Sequence, residues 1–157
     1  MRKIEIITPV EAKSYDELTD SDRRLVDLAR RATDGSYAPY SHFRVGAAIL
    51  LANGEIAVGA NQENAACPSG MCAERSACYW AGANYPGVAF EKIAIAAVGT
   101  DGLPTPQPCA PCGACRQALL EYETLAGHDV EVLLVGASEI YSLPSVASLL
   151  PLAFSEF

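Results

Sequence analysis

Positive charge is scarce in this sequence: eleven Lys and Arg residues face nineteen Asp and Glu, a formal net charge of −8. That balance disfavours attraction to phosphate backbones and anionic membrane surfaces, so no nucleic-acid partner is expected. Long apolar runs are missing too. The longest, Val45 to Leu51 and Ile93 to Val98, fall far short of the ~20 residues a membrane-spanning helix needs, and no membrane association is expected. Histidine is limited to His42 and His128, and neither has a partner at ligand spacing; surface or packing roles suit both. Repeats, low-complexity tracts and Gly/Ser linkers are absent. The first residues, Met1-Arg2-Lys3-Ile4-Glu5, start basic but reach Glu5, Pro9 and Glu11 before any apolar segment or small-residue cleavage site. A cytoplasmic protein is therefore expected.

What is present has an ordinary balance: 157 residues, 50% hydrophobic and 19% charged, suit one domain. A core of roughly residues 18–154 is expected after an N-terminal extension over 1–17, all within a single domain 1–157. Leu18, Leu25, Leu28, Ala29 and Ala32 predict a helix closed by Gly35, and Thr19 with Asp22 has capping-box spacing at its start. Residues 44–51 and 56–59 flank Asn53-Gly54, a strong hairpin signal. A second helix follows over 71–82, a buried strand over 92–98, and a loop over 99–111 that holds Pro104, Pro106, Pro108 and Pro111. A third helix is predicted over 112–123, a fourth strand over 131–135, and a short helix over 146–150 stopped by Pro151. The order αββαβαβα predicts an α/β protein, a mixed sheet whose later helices serve as crossovers.

Six cysteines lie between Cys67 and Cys115, unlike the spread framework of a small secreted domain. Clustered intracellular cysteines point to a metal or to catalysis. Cys109, Cys112 and Cys115 repeat at intervals of three, and Cys72 stands far upstream with Glu74 two positions on. Zinc takes thiolates in tetrahedral geometry, and a C-x-x-C step at a helix start turns two sulfurs toward one ion. Cys72 and Cys112 both fall at predicted helix starts, where unpaired amides and the helix dipole favour thiolate. Three cysteine ligands without Glu74 would leave a fourth position for water, which separates a catalytic zinc from a structural one. Two registers satisfy P-C-x-x-C, Pro108 to Cys112 and Pro111 to Cys115. Pro111 inside the first would hold Ala110 in extended geometry, which favours the second.

At Asn61-Gln62-Glu63-Asn64-Ala65, Cys72-Ala73-Glu74-Arg75 and Pro111-Cys112-Gly113-Ala114-Cys115-Arg116-Gln117 the chain resembles the small zinc-dependent cytidine deaminase family. It does so again at Pro39-Tyr40-Ser41-His42-Phe43 and at Leu149-Leu150-Pro151 with Phe154, so the likeness covers roughly residues 18–154. The Cys-x-Glu and P-C-x-x-C steps are the signature of zinc deaminases. The resemblance implies a cytidine-deaminase-like three-layer α-β-α sandwich around a mixed β-sheet, with one Zn²⁺ per subunit on Cys72, Cys112 and Cys115. It implies that Glu74 shuttles protons between water, the pyrimidine N3 and the leaving ammonia. The reaction would be hydrolytic deamination of cytidine and deoxycytidine to uridine and deoxyuridine, a step of pyrimidine salvage whose partners are the nucleoside and water. Arg75 and Arg116 would donate to the ligand sulfurs and reduce the charge of three thiolates. Asn61 and Glu63 would hold the ribose 3′-hydroxyl, the Ala73 backbone would meet the base and Phe43 would stack. Phe154 would reach a site in a neighbouring subunit of a homotetramer.

The chain departs from the family's pattern where many relatives carry an aromatic residue before a proline: here Cys67 precedes Pro68. Gln62 replaces an apolar residue, and residues 83–87 lengthen a loop. The Cys67 change leaves room for deamination of a modified cytosine nucleoside of the blasticidin-S type. A reading from another class is a non-catalytic structural zinc module closed by Cys72, Cys109, Cys112 and Cys115; its iron–sulfur version lacks the later x₃-C-P step. Otherwise Cys67, Cys78 and Cys109 read as thiols without a role.

Overall fold

The computed structural model describes residues 1–155; the end of the expected 1–157 domain lies outside the described residues. A short strand, β1 (Glu11–Lys13), comes first. Thr19 then caps α1 (Asp20–Ala32), its side chain accepting the Asp22 amide at 3.1 Å and so pairing one of the donors a helix start leaves free. The hairpin forms as β2 (Arg44–Leu51) and β3 (Ile56–Ala60). Its turn is closed by Gly54 at φ +84°, where a side chain would be strained. After it come α2 (Ala73–Asn84), β4 (Phe90–Val98), α3 (Gly113–Ala126), β5 (Glu131–Val135) and β6 (Ile140–Leu143).

The six strands make one mixed sheet in the order β1-β6-β5-β4-β2-β3. Only β4 and β5 pair in parallel, and α3 is the crossover that such a pair requires. Side chains alternate between the two faces. Ala48, Ala94, Ala96, Leu133 and Val135 face Leu25, Val26 and Ala29 of α1, whereas Ala47, Ile49, Ile93, Ile95, Val132 and Leu134 join the α2 and α3 side. The result is the three-layer sandwich. With both faces covered, β4 and β5 read in sequence as nearly continuous apolar runs.

The sheet exceeds the expected four strands by β1 and β6, which pair with each other at one side of it. The helix expected over 146–150 shrinks to a 3₁₀ turn, Ala147–Leu149. On the α1 face, the Lys92 ammonium bridges Asp22 at 2.5 Å and Glu131 at 2.6 Å, and the Ser142 hydroxyl donates to Glu131 at 2.8 Å. Burial pushes the Asp22 carboxyl up, but hydrogen bonds from Lys92 and Thr19 outweigh it and hold the group below its ordinary range. On the other face, a Cβ on Gly59 would stand 2.5 Å from the Ala77 nitrogen and 2.6 Å from the Ala73 carbonyl. Only glycine lets β3 draw the first turn of α2 so near, and that turn carries the site. No helix among the described residues is long and apolar enough to cross a membrane.

Candidate metal centre and active site

Cys72 and Cys112 hold equivalent positions, the N-caps of α2 and α3, both in extended backbone conformation. Cys115 lies one turn into α3 and is fully buried. The sulfurs converge. Cys72 Sγ stands 3.8 Å from Cys112 Sγ, Cys112 Sγ stands 3.4 Å from Cys115 Sγ, and all three fall within 4.8 Å of one another. Two thiolates bound at about 2.3 Å to one tetrahedral zinc would be about 3.8 Å apart, so both spacing and donor softness fit that ion. Burial pushes the Cys72 and Cys115 thiols up. At Cys112 burial acts the same way, but hydrogen bonds from Cys115 and Cys72 and from the amides of the first turn outweigh it and bring the thiol down.

Among the described residues no other His, Cys, Asp or Glu joins this group. Cys109, the alternative ligand, lies outside it with its Sγ against the Ala110 carbonyl at 3.8 Å. A closed four-sulfur site is therefore not built, and the register is Pro111 to Cys115. Three protein donors on a tetrahedral ion leave the fourth place to water or substrate.

Glu74, the second residue of α2, is only 4% exposed. Burial pushes its carboxyl up, opposed by its own amide, by Cys115 and by Arg75. It thus sits beside the sulfurs without joining them. Arg75 directs Nη2 to Cys72 Sγ at 3.8 Å, and its Nε is buried with no acceptor among the described residues. Arg116 is placed differently from the expectation. Its Nε donates to the Pro111 carbonyl and its Nη1 to the Leu149 carbonyl, each at 2.8 Å, because the cysteine loop and the C-terminal turn present carbonyls there that no ladder pairs. Of the two arginines, Arg75 is the one whose hydrogen bond reaches a ligand sulfur.

A cleft of about 490 Å³ opens beside Cys72 and Arg75, walled by Tyr40, Asn61, Glu63, Cys67 and Met71. Asn61 Oδ1 accepts from the Val45 amide at 2.8 Å and its Nδ2 donates to the Phe43 carbonyl at 2.9 Å, so the amide extends the hairpin ladder. Glu63 Oε2 accepts from the Tyr40 and Ser41 amides at 2.9 and 3.2 Å. A hydrogen bond from the Ser41 side chain, then the Tyr40 amide, hold its carboxyl below the ordinary range. Phe43 is half-buried and not part of the cleft wall; Ala73 is buried at the start of α2. Phe154 is 66% exposed, its carbonyl accepting from Gln117 Nε2 at 2.9 Å. The sequence reading did not single out Tyr40 or Met71 as wall residues. Their signals were adjacency to Pro39 and to Cys72, and Met71 is brought to the wall by pairing with Gln62, nine positions earlier, through two 2.8 Å backbone bonds that close the intervening loop.

Three convergent sulfurs that fit a zinc ion, with a buried carboxylate beside them and outside the donor set, match a hydrolase arrangement, and the fold and site place this chain in the class of zinc-dependent hydrolases. The family model "Cytidine and deoxycytidylate deaminase zinc-binding region" matches residues 19–126. The cytidine deaminase of Halalkalibacterium halodurans is 40% identical over 131 residues, 83% of this chain and 92% of that protein. A probable cytidine deaminase of Dictyostelium discoideum is 35% identical over 133 residues, 85% of this chain and 83% of its own. Among solved structures, cytidine deaminase from Burkholderia pseudomallei superposes with a TM-score of 0.73 at 38% identity, covering 87% of this chain and 100% of that one. The chain belongs to the cytidine and deoxycytidylate deaminase family.

Proposed function

We propose that this protein hydrolyses cytidine and deoxycytidine to uridine and deoxyuridine with release of ammonia. The observation that carries the reading is Glu74, a buried carboxylate placed beside three convergent sulfurs that it does not join. Zinc on Cys72, Cys112 and Cys115 would supply Lewis acidity that makes water nucleophilic at neutral pH. Glu74 takes the proton that water loses as it adds to C4 of the ring, delivers it to N3, and carries the next to the departing amino group. Burial keeps solvent from competing for these protons. Arg75 offsets the negative charge of the thiolates through Cys72.

Glu63 and the remaining amide hydrogen of Asn61 hold the sugar 3′-hydroxyl at the cleft wall. The Ala73 backbone meets the base, Phe43 stacks on it, and Arg116 supports the ligands by holding the Pro111 carbonyl. Phe154 serves a neighbouring subunit of a homotetramer, in keeping with its exposure on the single chain. The protein is one domain acting in the cytoplasm in pyrimidine salvage. A modified cytosine nucleoside is the second substrate reading, favoured by Cys67 on the cleft wall.

The test is the ultraviolet absorbance change of zinc-loaded protein with cytidine, beside a cytosine-containing oligonucleotide. Turnover of the nucleoside alone is expected. If cytidine and modified cytosine nucleosides are both left intact, the reading fails.

A further inference from the structure

Residues 38–43 bring Tyr40 to the cleft wall and lead into β2. Pro39 fixes φ near the helical value, and the chain makes a single turn in which the His42 amide donates to the Ala38 carbonyl at 3.0 Å. A turn of this kind leaves its first amides unpaired. Glu63 Oε2 takes two of them, from Tyr40 and Ser41. The left-handed region commonly ends such a turn, usually on glycine. Here the residue is His42 at φ +57°, one of two non-glycine residues with positive φ among the described residues. Phe43 then donates its amide to Ser41 Oγ at 3.0 Å, and its carbonyl accepts from Asn61 Nδ2. The two residues assigned to the sugar thus grip the segment on either side of His42, Glu63 before it and Asn61 after it.

We infer that His42 is a positioning residue for nucleoside binding, and that it acts through its left-handed backbone, which reverses the chain between the Glu63 and Asn61 contacts. The imidazole does not account for the position. It is exposed and makes no hydrogen bond or ion pair with the described residues, and its electrostatic effect on Glu63 is the smallest of those acting on that carboxyl. Histidine and asparagine are among the non-glycine residues that enter this region, whereas a β-branched residue is an outlier there. Such strain persists only where the surroundings over-determine it, and here the surroundings are the two side chains that bear on the sugar. A segment free to leave the conformation would present Tyr40 and Glu63 correctly in only a fraction of molecules, and apparent affinity would fall by that fraction. The three sulfurs and Glu74 are carried by the starts of α2 and α3, outside the segment, so the chemical step is spared. The inference rests on the reading that Asn61 and Glu63 hold the sugar 3′-hydroxyl.

Steady-state kinetics with cytidine and calorimetric binding of uridine test it on the zinc-loaded full chain with His42→Asn, His42→Ala or His42→Val. The left-handed conformation disfavours a residue with a Cβ by a factor of about five to thirty. His42→Val should therefore raise KM for cytidine and Kd for uridine by about that factor, with kcat within about threefold of the parent and zinc content unchanged. His42→Asn should hold both constants within about twofold, and His42→Ala should fall between the two. If His42→Val does not fold, the comparison of His42→Ala with His42→Asn carries the test. Equal impairment in all the variants overturns the inference and assigns the effect to the imidazole. A lowered unfolding temperature with KM and Kd unchanged in every variant overturns it as well, since that is a role in stability alone. Both results leave the sugar reading standing. A parent protein that binds 3′-deoxyuridine as tightly as uridine overturns the sugar reading, and the inference with it.

Discussion

Glu74→Gln separates proton transfer from metal binding. Glutamine keeps the volume of a side chain that is 4% exposed and removes a buried charge rather than adding one, so the unfolding temperature is not expected to fall. The three sulfurs are untouched, and zinc should remain at one per chain. What disappears is a group able to take and give a proton, and at this burial bulk water cannot substitute. General acid–base catalysis contributes about 10²–10⁴-fold, and Glu74 serves more than one transfer, so the loss should lie near about 10⁴. That is about 5.4 kcal/mol on the barrier at 1.36 kcal/mol per decade. The assay is cytidine absorbance under saturating substrate, with metal content and thermal unfolding measured on the same sample. A zinc-loaded variant within tenfold of the parent's turnover would falsify the role given to Glu74.

Cys112→Ser should lose most of its zinc, whereas Cys109→Ser should keep one ion per chain; metal analysis after dialysis checks both, and zinc loss in the second would restore the four-sulfur site. Glu123, buried on α3, accepts the Val130, Val146 and Ala147 amides at 2.9, 2.6 and 2.9 Å. An amide there turns donors toward an N–H, so Glu123→Gln should cost about 2 kcal/mol or more in denaturant unfolding at fixed zinc and protein concentration. Lys92→Met strands two carboxylates and should cost about 3–5 kcal/mol near neutrality. The pH signs follow from the shifts. Asp22 is depressed, so its contribution is present above its unfolded value and lost as pH falls through the lower folded one. Against burial, Asp22 and Glu131 raise Lys92, whose contribution is complete below its ordinary 10.5 and lost as pH rises through the folded value. Thermal melts of parent and variant should therefore converge in strong acid and in strong base; a pH-independent gap would refute the ion-pair account.

Much of the fold was legible because its signals are local. The capped α1, the Asn53-Gly54 hairpin, the apolar runs of β4 and β5, and the helices after Cys72 and Cys112 depend on neighbours in sequence, where periods of two and of about 3.6 are written. The pairing of Cys112 with Cys115 was legible for the same reason, since i and i+3 at a helix start share one side. β1 and β6 were not: Glu11–Lys13 and Ile140–Leu143 are too short to show a period, and β1 becomes a strand only by pairing with β6 across the length of the chain, while β6 pairs as well with its neighbour β5.

The residue types alone determined the chemistry available here, thiolates for a soft ion and a carboxylate for protons. Only the tertiary structure decided which groups meet. The sheet order brings α2 beside α3 and so Cys72 to Cys112, while the loop keeps Cys109 apart. It also decided that Asn61 extends the hairpin ladder and that Arg116 turns to the Pro111 and Leu149 carbonyls. Polar side chains go to whichever backbone groups the sheet leaves unpaired, and strand order, a long-range property, determines which groups those are.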